Sequence, residues 1–198
     1  MRVIAGTAKG RRLRVPPGLR VRPSGARLRE SAFGILEHRG AIEGARVLDL
    51  FAGTGALGIE ALSRGARELV AVEHDRDVAR ILQANLQQTG VADRARVLVE
   101  PVERAIARLA AEAPFDLVLV DPPYRAGLAE RALDALVARG VVAADGWILI
   151  EHARTEPLAW PNALVRELER PCGDSMLTLL RATAQPGDCR EVPAHAHP

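Results

Sequence analysis

Apolar positions in this chain recur with two different spacings, and the change from one to the other marks out its elements. Leu28, Ala32, Ile35 and Leu36 fall on one side of a 3.6-residue period and predict an amphipathic helix over about 26–38, with Gly40 and Gly44 bracketing its exit. Beyond it, short continuous apolar runs at 47–51, 69–72, 97–99, 115–120 and 147–150 alternate with stretches of helical spacing. The clearest such stretch is 75–89, where Val78, Ile81, Leu82 and Leu86 share a face. Strands that are apolar on both sides and separated by helices predict a mostly parallel sheet covered on both faces, with right-handed crossovers. After residue 152 the alternation stops, and 164–168 and 176–180 are expected to pair as an antiparallel hairpin. Ahead of the first helix, 2–5 and 11–15 read as two short strands joined by Gly6-Thr7-Ala8-Lys9-Gly10, and Pro16-Pro17-Gly18 ends that pattern. The expected organisation is a hairpin extension over 1–24, an α/β domain over 25–183 and a disordered tail over 184–198.

Composition narrows the class. A chain of 198 residues with 48% hydrophobic content has enough apolar surface for one compact domain, which excludes a disordered or purely solvating protein. No apolar run approaches the roughly 20 residues needed to cross a bilayer. The opening Met1-Arg2-Val3-Ile4-Ala5-Gly6 lacks the apolar core of a secretory signal. The two cysteines, Cys172 and Cys189, have no metal-ligand spacing, so a reducing, cytoplasmic setting without a bound metal is expected.

The net charge of +2 hides a strong asymmetry. Residues 1–29 carry nine basic side chains (Arg2, Lys9, Arg11, Arg12, Arg14, Arg20, Arg22, Arg27 and Arg29) and no acid, while the remainder sums to −7. A basic head on an acidic body predicts an electrostatic docking element for a polyanion, with Arg2, Lys9, Arg11, Arg12, Arg14 and Arg22 as candidate contacts. The alternative is a solubilising tail.

Two stretches carry chemistry. The first, Asp49-Leu50-Phe51-Ala52-Gly53-Thr54-Gly55-Ala56-Leu57-Gly58, sits where the first buried strand turns into a helix. Its glycines allow a tight turn and close approach of a ligand to peptide N–H groups. Glu73 ends the second strand twenty residues after Gly53, where a carboxylate accepts hydrogen bonds from both ribose hydroxyls; His74 follows it and borders the same region. Gly53, Gly55 and Gly58 also satisfy the dinucleotide pattern, so the loop alone leaves a nicotinamide cofactor open. Asp49 favours S-adenosylmethionine, because a carboxylate suits its ammonium and sulfonium better than a pyrophosphate. Asp49, Phe51, Ala52, Gly53, Thr54, Gly55, Glu73 and His74 are therefore the candidate cofactor residues.

The second stretch is Asp121-Pro122-Pro123-Tyr124, closing the apolar strand 115–120 and holding the chain's one tyrosine. Two prolines fix the backbone and remove two N–H groups, leaving carbonyls to accept. Asp121 and the Pro122 carbonyl can both accept from one exocyclic –NH2 and orient its lone pair for in-line transfer, while Tyr124 offers a ring for base stacking. As the end of the fourth strand, this tetrapeptide should lie on the same carboxyl edge as the glycine loop, where ligands of open α/β sheets gather. Guanine N2, adenine N6 and cytosine N4 are equally suited to these acceptors.

The glycine loop, the following Glu-Ala-Leu-Ser-Arg-Gly-Ala at 60–66 and Asp-Pro-Pro-Tyr together closely resemble the RsmD family, bacterial 16S ribosomal RNA guanine-N2 methyltransferases. The resemblance extends to Arg2-Val3-Ile4-Ala5-Gly6, Gly10-Arg11-Arg12-Leu13, Arg22-Pro23, Arg27-Leu28-Arg29-Glu30 and Gly173-Asp174-Ser175, covering about 1–182. It implies a class I S-adenosylmethionine-dependent methyltransferase, Rossmann-like, with a seven-stranded sheet whose last strand is antiparallel. It also implies cofactor at Asp49, Phe51 to Gly55 and Glu73, target guanine at Asp121 to Tyr124, and a basic hairpin holding 16S RNA in an assembling small subunit. Three departures stand out. Arg22-Pro23-Ser24-Gly25-Ala26-Arg27 lacks the family's threonine and aspartate, Glu100-Pro101-Val102 replaces an Asp-Ala near the adenine, and Cys172 stands where tyrosine is usual.

The remaining singular residues read more simply. His38 and His152 are expected at the surface or behind the site, His195 and His197 as bystanders in the tail, and Trp160 as packing. A monomeric enzyme is expected. The competing classes are a nicotinamide-dependent oxidoreductase, for which no hydride-transfer acid or base is recognisable, and a non-catalytic RNA-binding assembly factor.

Overall fold

The computed structural model describes residues 1–16, 23–123, 127–155 and 157–183, with side chains from Leu28 onward in the first helix. Tyr124, Arg22, Cys189, His195, His197 and the expected tail over 184–198 lie outside the described residues. The chain runs α1 (Pro23–His38), β1 (Arg46–Leu50), α2 (Ala56–Ser63), β2 (Glu68–Val72), α3 (Arg76–Thr89), β3 (Ala95–Leu98), α4 (Val102–Leu109), β4 (Phe115–Val120), α5 (Leu128–Ala138), β5 (Val142–Ala153), β6 (Leu164–Cys172) and β7 (Ser175–Ala182).

The seven strands form one sheet in the order β3-β2-β1-β4-β5-β7-β6. β1 to β5 are parallel, and β7 is antiparallel to both β5 and β6, as expected for the last strand. Successive side chains of a strand face opposite ways, so β1 feeds two cores. Val47 packs with Leu28, Phe33 and Leu36 of α1, Ile59 and Leu62 of α2, and Leu82 and Leu86 of α3. Leu48 and Leu50 pack on the other face with Ile106 and Leu109 of α4 and Leu133 and Leu136 of α5. Trp160 packs at the edge of this second core, with Arg166 stacked 5.9 Å from its ring, in keeping with its expected structural role.

Three expectations need correction. The pair 2–5 and 11–15 does not form two strands but closes through a single antiparallel bridge, Arg2 to Arg12. Its backbone is diverted to side chains: Ile4 N and Ala5 N donate to the Glu60 carboxylate, at 2.8 and 3.0 Å, and Ala8 N donates to Ser63 Oγ. Gly6 lies so close to α2 that a Cβ would stand 1.8 Å from the Ser63 carbonyl oxygen. Val3, Ala8 and Leu13 are buried in the first core, so this hairpin is bolted to the sheet domain. Second, β5 begins at Val142 rather than at 147, because the turn-like Ala143-Ala144-Asp145-Gly146 is absorbed as a register shift between β4 and β5, with Asp145 at φ 61°. Third, Arg29 does not belong to the surface charge of the head: it is 7% exposed.

Candidate active site

The parallel strands end level. The register aligns Leu98, Val72, Leu50, Val120 and Ile150 across β3-β2-β1-β4-β5. The residues that follow, Glu73, Phe51, Asp121 and Glu151, therefore stand along one carboxyl edge, with Asp121 and Glu151 on adjacent strands about 4.8 Å apart in backbone spacing. A cavity of about 300 Å³ opens there. Phe51, Ala52, Gly53 and Thr54 of the glycine loop form one wall, Val78 of α3 and Ala56 and Leu57 of α2 extend it, and Asp121 and Glu151 close the strand side. Met1, Pro16, Leu28 and Arg29 cover it from the hairpin and α1. Gly53 and Asp121, sixty-eight positions apart, thus share one cavity.

The loop is built to hold this shape. Phe51 takes a left-handed backbone conformation (φ 60°), uncommon for a bulky residue and a mark of a constrained turn. Ala52 N donates to Val72 O at 2.8 Å, tying the loop to the neighbouring strand. Gly55 has φ 81°, a conformation that favours glycine, and a Cβ there would also have to displace the Leu82 side chain. Asn85 of α3, fully buried, donates from Nδ2 to the carbonyls of Thr54 (2.9 Å) and Arg14 (3.0 Å) and accepts from Arg14 N at 2.7 Å. One amide thereby joins the hairpin to the glycine loop.

Asp49 lies beneath the loop rather than on the cavity wall. Its Oδ2 accepts from Gly58 N at 2.9 Å, while the buried Oδ1 has no hydrogen-bond partner among the described residues. Burial pushes this carboxyl up to about 7; the Gly58 N–H works against that shift and the charge of Glu73 adds to it. Glu73 also sits behind the wall, its Oε2 accepting from Gly53 N at 2.9 Å and its Oε1 from Asp75 N at 2.8 Å. A carboxylate offers about four lone-pair sites, so Glu73 retains capacity for a ligand hydroxyl. His74 is largely exposed, with Nδ1 3.2 Å from Glu73. Pro122 is buried, while Asp121 and Pro123 are exposed at the rim.

Of the candidate RNA contacts, Arg2, Lys9, Arg11, Arg12 and Arg14 are all exposed, and none forms an ion pair among the described residues. Arg2 donates to the Gly10 carbonyl and Arg11 to that of Gln88, which holds their stems along the hairpin. Glu100, in the place of the usual aspartate, is engaged with two cations: Oε1 lies 2.9 Å from Arg108, an ion pair without hydrogen-bond geometry, and Oε2 lies 3.5 Å from Arg104. Pro101 caps the α4 that carries both.

Three residues at the site were not singled out from the sequence. Glu151 follows the apolar run 148–150 as Asp121 follows 115–120, and that parallel was the available signal. Its Oε1 accepts from Ser175 Oγ at 2.7 Å, which places the family-like Gly-Asp-Ser turn behind the rim. Arg29 sits next to Leu28 on the buried side of α1, a charge where the helical period calls for apolar contact. Asn85 gave no signal, because its partners come from two distant segments.

A sheet of this order, with a glycine loop after β1, a carboxylate after β2 and Asp-Pro-Pro after β4, defines a class I S-adenosylmethionine-dependent methyltransferase fold. The chain belongs to the family described as Conserved hypothetical protein 95, whose model matches residues 1–181 and which is the RsmD family. It is 40% identical over 151 residues to Ribosomal RNA small subunit methyltransferase D of Escherichia coli K12, covering 76% of this chain and 74% of that one. To the Haemophilus influenzae protein of the same name it is 35% identical over 163 residues, covering 82% and 83% of the two chains. Among solved structures, Escherichia coli yhhF, proposed to be a methyltransferase, superposes with a TM-score of 0.81 at 37% identity, over 93% of this chain and 99% of that one. The chain is a methyltransferase. No helix of the described residues is long and apolar enough to cross a membrane.

Proposed function

We propose that this protein transfers the methyl group of S-adenosylmethionine to the exocyclic N2 amine of a guanine in 16S ribosomal RNA, in free RNA or in an assembling small subunit. The observation that carries the reading is the single cavity lined by both Gly53 and Asp121. The residues present suit the donor. Asp49 keeps a partnerless buried oxygen beneath the loop, a counter-charge for the ammonium, and Glu73 is held level with the loop for the ribose. Leu57, Phe51 and Val78 give the cavity apolar wall.

Bound there, S-adenosylmethionine supplies an electrophilic methyl carbon on a sulfonium. Asp121 and the Pro122 carbonyl would accept the two hydrogens of the target amine, directing its lone pair toward the donor held at the glycine loop. As the nitrogen–carbon bond forms and the carbon–sulfur bond breaks, the nitrogen becomes positive. Asp121 stabilises that charge, and the proton leaves to Asp121 or to water. Tyr124 stacks on the extruded base.

Guanine is favoured by Glu151. The amino group of guanine is flanked by a ring N–H donor, whereas those of adenine and cytosine are flanked by bare ring acceptors. A second carboxylate beside Asp121 therefore accepts from guanine and repels the other two. The relatives named as small-subunit ribosomal RNA methyltransferases support RNA as the substrate. The exposed cations of the hairpin supply the polyanion contact, so that residues 1–24 dock RNA for the domain over 25–183. On this reading the enzyme works in the cytoplasm as a monomer.

Thermal denaturation with S-adenosylhomocysteine against NAD tests the donor: stabilisation by the former is expected, and stabilisation by NAD alone would sink the reading in favour of an oxidoreductase. Asp121→Ala should lower methyl transfer about 100- to 1,000-fold while leaving S-adenosylhomocysteine binding intact. Unchanged transfer would remove Asp121 from its role, and absence of transfer by the unaltered protein would favour a non-catalytic assembly factor.

A further inference from the structure

Arg29 is a buried cation facing the cavity that forms no ion pair among the described residues. It is 7% exposed, yet it lines the cavity between the glycine loop and α1. Its Nη1 donates to Met1 Sδ at 2.7 Å and its Nη2 to the Arg2 carbonyl at 3.4 Å, both neutral acceptors. Among the described residues no carboxylate pairs with it. Glu60, the acid whose charge it feels, is already shared by Ile4 N, Ala5 N and Arg64. Burial accordingly pulls its pKa below the ordinary arginine value, an effect the Glu60 charge opposes. A guanidinium removed from water without a paired anion is costly, so an anion entering the cavity beside it is favoured.

The anion is identified by what else the cavity holds. Asp121 and Glu151 on its strand side exclude a phosphate there, and the glycine loop with Asp49 beneath it takes the cationic amino-acid end of the donor. That end carries a carboxylate as well as an ammonium. We propose that the Arg29 guanidinium receives the α-carboxylate of S-adenosylmethionine and of the S-adenosylhomocysteine left after transfer. This rests on the donor reading above and goes beyond it, because it makes a residue of α1, ahead of the first strand, part of the cofactor site. The hairpin, anchored through Met1 and Arg2 to the same guanidinium, then helps to hold that group in position.

Calorimetric binding of two probes tests this without any activity measurement. S-adenosylhomocysteine carries the carboxylate; 5′-methylthioadenosine has the same nucleoside and sulfur but lacks the amino-acid end. Arg29→Gln should weaken S-adenosylhomocysteine binding about 10- to 100-fold, the range of a charged hydrogen bond, and leave 5′-methylthioadenosine binding within about two-fold. Arg29→Lys, which keeps the charge but not the two-pronged fork, should lose less, and it serves if the glutamine variant does not fold. Parallel weakening of both probes would assign Arg29 a purely structural role and overturn the proposal, as would unchanged binding of S-adenosylhomocysteine. Loss of RNA binding with S-adenosylhomocysteine affinity retained would assign the cation to a phosphate instead. If the unaltered protein bound neither probe, the donor reading would fail and take this proposal with it, an outcome distinct from the other three.

Discussion

Asp49 and Glu151 show how burial and neighbours give two carboxylates different work. Asp49 has a folded-state pKa of about 7, above the 3.8 expected when unfolded, so its charged form is disfavoured in the fold. Its contribution to stability is complete below about pH 4 and is lost as pH rises through 7. Thermal midpoints should therefore fall between about pH 4 and 7, and fall less in Asp49→Asn, which keeps an acceptor for Gly58 N. The ammonium of the ligand favours the charged form, so binding of S-adenosylhomocysteine should tighten over the same interval in the unaltered protein and stay flat in the asparagine variant; equal pH profiles would remove Asp49 from the cofactor site. Glu151 is held by Ser175 at the rim. Glu151→Gln should slow transfer to guanine about ten-fold, through loss of a charged acceptor, with cofactor affinity unchanged. A variant as fast as the unaltered enzyme would leave the choice of base unexplained by this residue.

At the scale of elements, the parallel strands were legible because a buried parallel strand is apolar throughout and needs no partner to be recognised. The fifth strand and the N-terminal pair were less so, for physical reasons. Strand β5 runs through Ala143-Ala144-Asp145-Gly146 because a bulge accommodates a sequence that locally favours a turn. The hairpin at 2–12 keeps only one bridge because Glu60, Ser63 and Asn85 take backbone groups that a strand pair would have used. Those three residues are polar, fully buried and on helices, so their partners depend on tertiary packing that no local pattern encodes. The same anchoring directs Arg11 and Arg12 outward. Replacing both by glutamine should weaken RNA binding and reduce the slope of log affinity against log salt by about two, while cofactor affinity stays as it was. An unaltered slope would mean that the hairpin does not touch phosphate.

In the whole molecule, function depends on strand ends that are level. Because Leu50, Val120 and Ile150 share a register position, Phe51, Asp121 and Glu151 reach one edge, and the glycine loop meets Asp-Pro-Pro across a cavity of about 300 Å³. The two motifs were readable in the chain because each is local, and their meeting was readable because open α/β sheets gather ligands at the carboxyl edge. The roof was not: Met1, Pro16 and Arg29 arrive from outside the strand–helix alternation, and only packing of the hairpin and α1 onto the first core brings them over the loop. The most direct measurement is transfer of labelled methyl from S-adenosylmethionine to small-subunit particles, to 16S RNA and to DNA, followed by digestion to nucleosides. Label is expected in N2-methylguanosine, at a rate about 100- to 1,000-fold lower in Asp121→Ala. Label in a methylated adenosine or cytidine, or in DNA and not in RNA, would contradict it.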